Sequence, residues 1–73
     1  MSRENIDFEM LRFKIKKIRH DKELSQEYFG KPLGLRRQDI HAIETGKRHP
    51  GLTSLYRIAI EYGVSLDWLL LDR

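Results

Sequence analysis

Large apolar residues recur three and four positions apart along almost the whole chain, and that spacing restricts it to a helical fold. Phe8, Leu11, Ile15 and Ile18 share one face of a first helix, because positions three, four and seven apart fall together at about 100° per residue. Asp7 stands where a cap for that helix belongs. Ile6, Met10 and Phe13 make a second stripe on another side, which predicts that the N-terminal half of the helix is covered twice. Ser25 is placed to cap a second helix carrying Tyr28 and Phe29, with Gly34 breaking it. Ile40 and Ile43 mark a third, ended by Thr45-Gly46. Leu52, Leu55, Ile58, Ala59 and Tyr62 give a fourth its apolar face, stopped by Gly63 in the C′ position. Ser65 caps a fifth, with Asp67 complementing the dipole in the first turn and Leu66, Leu69 and Leu70 facing inward. The expectation is an all-α fold, a compact five-helix bundle over residues 1–73 as a single domain, with residues 1–7 as an N-terminal arm.

Size and charge narrow what such a bundle can do. With 73 residues the chain buries only about 60% of the surface that its unfolded form exposes, leaving one core and little room for a deep substrate cleft. An enzyme is therefore not expected. No apolar run approaches the ~20 residues of a membrane span. The sequence contains no Cys, which removes disulfides, thiol catalysis and thiolate metal sites and fits a reducing, cytoplasmic setting. His20, His41 and His49 are not at ligand spacing on one face, so no metal and no cofactor are expected. The net charge of +3 is unevenly placed. Between Arg12 and Arg48 eleven Lys/Arg stand against five Asp/Glu, and outside that window three basic residues face six acidic ones. A basic centre between acidic flanks suits a polyanionic partner, nucleic acid before membrane, although a merely solvated surface would carry such charge too.

The stretch from Ser25 to Glu44 is the most informative. A short helix, a turn holding Gly34 and a second helix with Ile40 and Ile43 inside form the helix-turn-helix pattern. The run LSQEYFGKPLGLRRQDIHAIETGKRHP, followed by LTSLYRIAIEYGVSLDWLL, resembles the Cro/C1-type (XRE) helix-turn-helix regulators, whose fold is lambda-repressor-like. The signals are Leu24-Ser25-Gln26-Glu27, Leu33-Gly34, Ile40, Ile43-Glu44, Gly46-Lys47, Pro50, Leu55, Ala59 and Gly63-Val64-Ser65. Each is weak alone, and their common register over about sixty residues makes the likeness specific. It places the helix-turn-helix core at about residues 25–45.

The resemblance implies that the third helix enters a DNA major groove with its early residues on base edges. With Ile40 and Ile43 pointing inward, Gln38, His41, Ala42 and Thr45 point outward, and Arg37 at the helix start reaches sideways. Arg suits guanine O6/N7, Gln suits adenine N6/N7, and Ala can touch a thymine methyl; ordinary solvated surface is the alternative for each. The same likeness assigns backbone contacts to Gln26, at the start of the second helix, and to Lys47 and Arg48 in the loop before Pro50. It makes Arg19 and Glu44 an internal pair tying the first helix to the third.

Three positions depart from the family pattern. Gly30 stands where Ala is usual. Pro32 falls in what should be the last turn of the second helix, at a cost of about 3 kcal/mol in a helix interior, so that helix is expected to be short or kinked. Arg36 occupies the usual Ser or Thr cap of the third helix, and Arg36 with Arg37 opposes its dipole. A nearby phosphate or guanine would turn that repulsion into binding, which adds Arg36 to the backbone-contacting set.

The resemblance thus implies a sequence-specific regulator of transcription on double-stranded DNA, a repressor acting as a homodimer on a near-palindromic operator, with no small-molecule ligand. Trp68 and Leu71 lie off the inward face of the fifth helix and are the candidate dimer contacts, extended by Ile6, Met10 and Phe13. The rival from another class is a protein-interaction module, antitoxin-like or regulator-binding, which an apolar outward face on the third helix would favour. RNA binding is a weaker third, for want of aromatic residues placed for stacking.

Overall fold

Local rules set where each helix of the computed structural model begins and ends; it describes residues 6–71. In order these are α1 (Phe8–Asp21), α2 (Gln26–Gly30), a 3-10 turn (Lys31–Leu33), α3 (Arg37–Glu44), α4 (Leu52–Tyr62) and α5 (Leu66–Leu71). Three polar side chains satisfy N-terminal N–H groups that a helix leaves orphaned. The Asp7 carboxylate accepts from the Met10 amide at 3.1 Å, Ser25 Oγ from Tyr28 at 3.1 Å and Ser65 Oγ from Trp68 at 2.9 Å. Gly63 ends α4 in the left-handed region, at φ 67°. Residues 1–5 of the expected arm lie outside the described residues.

The core is a continuous cluster of Leu, Ile and Phe, including Leu11, Ile15, Phe29, Ile40, Ile43, Ile58 and Leu69, each exposed by 2% or less. Leu66, Leu70, Tyr62 and Trp68 are half-buried against it. The Tyr62 ring stacks on Phe29 with centroids 4.6 Å apart, and its hydroxyl donates to the Phe29 carbonyl at 2.8 Å. Burial, and secondarily the Glu61 charge, push the phenol up, so it remains a donor at neutral pH. Lys14 is buried beneath α5, where its ammonium donates to the Trp68 carbonyl and lies 4.8 Å from the indole centroid.

Three expectations about burial are corrected. Phe8 is exposed by 39% and, instead of joining the core, stacks on His49 at 3.8 Å between centroids. Leu52, at the first position of α4, is exposed by 76%. Ile6, Met10 and Phe13 are exposed and are not covered by the described residues. A helical stripe marks a face; only a neighbour of sufficient length buries it.

The α2–α3 corner explains two of the three departures together. α2 ends at Gly30, four residues before Gly34, and the chain tightens into the 3-10 turn with Pro32 in its first positions, where its missing N–H is not needed. Gly34 closes that turn at φ 74°. The corner brings Leu35 back over α2, so that its amide donates to the Gly30 carbonyl at 3.0 Å. A Cβ on Gly30 would stand 2.6 Å from the Leu35 carbonyl oxygen and 3.0 Å from Ile40 Cγ1. The usual Ala therefore has no space here. Gly30→Ala is expected to destabilise the fold by about 1–3 kcal/mol through overpacking, read as a lower urea midpoint with unchanged slope. An unchanged or higher midpoint would mean that the corner yields freely.

Candidate nucleic-acid interface

α3 owes its orientation to a buried ionic clamp. The Arg19 guanidinium grips Glu44 with two parallel bonds, Nε to Oε2 at 2.7 Å and Nη2 to Oε1 at 3.0 Å. Its Nη1 donates to the Leu24 carbonyl at 2.9 Å. The Gln26 amide also donates to Glu44 Oε1, at 3.1 Å. One carboxylate, with its side chain 3% exposed, thus joins the end of α1, the start of α2 and the end of α3. The planar guanidinium fork suits this task better than an ammonium. Gln26 is half-buried, and with one amide hydrogen turned inward only its second remains to face a phosphate.

The outer face of α3 follows from which residues its core takes. Ile40 and Ile43 are 1% and 2% exposed, which leaves Arg37, Gln38 and His41 exposed and Ala42 half-buried. Arg36 caps no N–H group with its side chain, since a guanidinium has no acceptor. Asp39 supplies what compensation there is. Its Oδ2 accepts from the Arg36 amide at 2.9 Å, and its Oδ1 accepts from Arg48 Nη1 at 2.8 Å. The Arg36 backbone hydrogen bond first, then the Arg48 and Arg36 charges, hold the Asp39 carboxyl below its ordinary value against a partial desolvation. Because the folded value is depressed, this contribution is present at neutral pH and is lost as pH falls through it.

Beyond α3 the chain folds back on itself. The Lys47 and Arg48 amides both donate to the Ala42 carbonyl, at 2.9 and 3.2 Å, with Gly46 at φ 82° making the reversal. Arg12 of α1 lies against this turn, so close that a Cβ on Gly46 would meet its Nη1 at 2.9 Å. The Phe8–His49 stack fixes the loop's far end. Arg36, Lys47 and Arg48 are all exposed; Arg36 shares a hollow with Arg37 and Gln38, and Arg48 is held beside α3 by its bond to Asp39.

Sequence reasoning missed Asp39, Arg12 and the Phe8–His49 stack. Asp39 had a signal, an acid three residues after the cap position, which is half of a capping box. The other two depend on how a loop meets a helix thirty or more residues earlier and left no local pattern.

A helix-turn-helix family model matches residues 15–69. The chain is 43% identical over 54 residues to an uncharacterized HTH-type transcriptional regulator of Methanocaldococcus jannaschii, covering 74% of this chain and 82% of that one. A second such regulator, from Archaeoglobus fulgidus, is 33% identical over 57 residues, covering 78% and 80%. Among solved structures, the P22 c2 repressor in complex with a synthetic operator superposes with a TM-score of 0.79 at 22% identity, covering 88% of this chain and 97% of that one. A hypothetical transcription factor from Neisseria does so at 0.76 and 26% identity, covering 97% and 85%.

Proposed function

The chain belongs to the helix-turn-helix family, and on that premise we propose that it is a sequence-specific regulator of transcription that binds double-stranded DNA as a repressor. The carrying observation is the division of α3, with Ile40 and Ile43 sealed in the core while Arg37, Gln38 and His41 face solvent between flanking cations. In this reading Arg37, Gln38, His41 and Ala42 touch base edges, and Gln26, Arg36, Lys47 and Arg48 hold phosphates. Arg37 and Gln38 carry the fork and amide geometries that distinguish guanine and adenine. The outward face of α3 is polar and cationic, which sets the protein-interaction alternative behind DNA. The archaeal relatives described as HTH-type transcriptional regulators and the repressor solved on its operator support the same reading.

Neutralised phosphates release counterions, each contributing about 0.9 to the slope of log affinity against log salt. Binding to duplex DNA is therefore expected to weaken steeply as salt rises. Salt-independent binding, or none, would overturn the reading.

A domain this small reads few base pairs, so the reading includes a homodimer on a near-palindromic operator, with half-sites about 34 Å apart. Trp68 and Leu71, both half-buried, with the exposed Ile6, Met10 and Phe13, are its proposed contacts. Sedimentation should reveal a weak concentration-dependent dimer that Leu71→Asp weakens; identical monomers in both, with equal and non-cooperative operator binding, would remove this interface.

A further inference from the structure

We propose that Lys31, steadied by the Tyr28 ring, and Arg36 form a second phosphate clamp on the α2 side of the interface, taking a phosphodiester oxygen of duplex DNA; the proposal rests on the DNA-binding reading above. A hollow of about 320 Å³ opens between α2 and the start of α3, lined by Glu27, Lys31, Leu35, Arg36, Arg37 and Gln38. It brings together two residues assigned to bases, Arg37 and Gln38, and a cation that neither the family likeness nor the spacing singled out, Lys31. Three cations face one carboxylate there. Arg36 and Arg37 already crowd the N-terminal end of α3, whose partial charge is also positive, so an anion in this hollow relieves a repulsion that Asp39 offsets only in part.

The hollow also has some preorganisation. Lys31 is the first residue of the 3-10 turn, one helical turn beyond Glu27. Its ammonium lies 5.1 Å from the Tyr28 ring centroid, and the Tyr28 side chain is largely in solvent. A cation over a ring face is attracted by the ring's quadrupole, which narrows the range of a long, flexible side chain, although Tyr28 itself does not line the hollow. A point charge and a planar fork suit a phosphate oxygen. They present no donor–acceptor pattern that would tell one base from another, so the clamp adds affinity and fixes register without adding sequence preference.

The test is fluorescence anisotropy of a labelled, unselected DNA duplex of about 30 base pairs, titrated with wild type, Lys31→Ala, Lys31→Arg, Tyr28→Ala and Lys16→Ala at several salt concentrations. Lys16 is an exposed lysine of α1 that does not line the hollow, and it reports the effect of net charge alone. If Lys31 holds a phosphate, Lys31→Ala lowers the salt slope by about 0.9, so that between about 50 and 200 mM salt wild type loses roughly 3.5-fold more affinity than the variant. Lys31→Arg restores the slope, Tyr28→Ala weakens binding in the same direction, and Lys16→Ala leaves both nearly unchanged. A Lys31→Ala slope equal to wild type, or an equal fall in Lys16→Ala, overturns the clamp while leaving the DNA-binding reading in place. Wild type that binds no duplex overturns both.

Discussion

Arg19→Ala is expected to cost the fold about 3–5 kcal/mol. The loss is large because of what remains behind. In the intact pair the Glu44 side chain is only 3% exposed, and without Arg19 it would retain a single neutral donor, the Gln26 amide. Breaking one side of a buried pair leaves a charge that neither water nor protein compensates. A chain of 73 residues has roughly 4–11 kcal/mol of total stability at typical values per residue, so the variant is expected to lose a large share of it. Glu44→Gln should cost less, because the Arg19 side chain is 14% exposed and keeps the Leu24 carbonyl. Arg19→Lys should behave more like Ala than like wild type, since an ammonium cannot make both parallel bonds while holding Leu24. Urea denaturation followed by circular dichroism measures all three. A loss below about 1 kcal/mol in Arg19→Ala would show that α3 is held by its apolar contacts alone.

The second large effect separates reading from anchoring. Gln38→Ala and Arg37→Ala should each cost about 1–3 kcal/mol on the best DNA site and relax preference at one or two base pairs, while changing binding to unselected DNA little. Lys47→Ala should weaken both substrates by the same factor, because phosphates are alike in every sequence. All three side chains are exposed and belong to no ion pair described in the structure, so the fold should tolerate their removal. Equal losses on selected and unselected duplexes would demote Arg37 and Gln38 to anchors.

Much of this fold could be read from apolar spacing and punctuation. Asp7, Ser25, Ser65 and Gly63 cap as their chemistry dictates, and the Ile40/Ile43 pair alone defines the inward side of α3. The errors have a common source. Phe8 and Leu52 sit in register with buried residues, yet both are exposed at the first positions of their helices, and a periodic pattern carries no information about the length of its neighbour. The Arg19–Glu44 pair spans 25 positions and came from family likeness, since no local rule joins residues that far apart. Pro32 announced a shortened α2, yet the close approach of Leu35 to Gly30 needed the folded corner to be seen. The Asp39–Arg48 link shows the limit most clearly. The acid was legible as a cap, but its second partner arrives only because Gly46 turns the chain back along α3. The sequence presents Arg48 as a solvated loop cation, whereas in the structure it is tethered to Asp39 beside the residues proposed to read bases.

Selection of bound duplexes from a random DNA pool tests the central claim most directly. If α3 reads bases and two copies act together, wild type should enrich one inverted repeat whose half-sites are about one helical turn apart. Gln38→Ala should blur the repeat at matching positions in both halves. Enrichment of no motif, or of the same motif with equal strength by wild type and Gln38→Ala together with Arg37→Ala, would contradict the assignment of α3 as the reading helix.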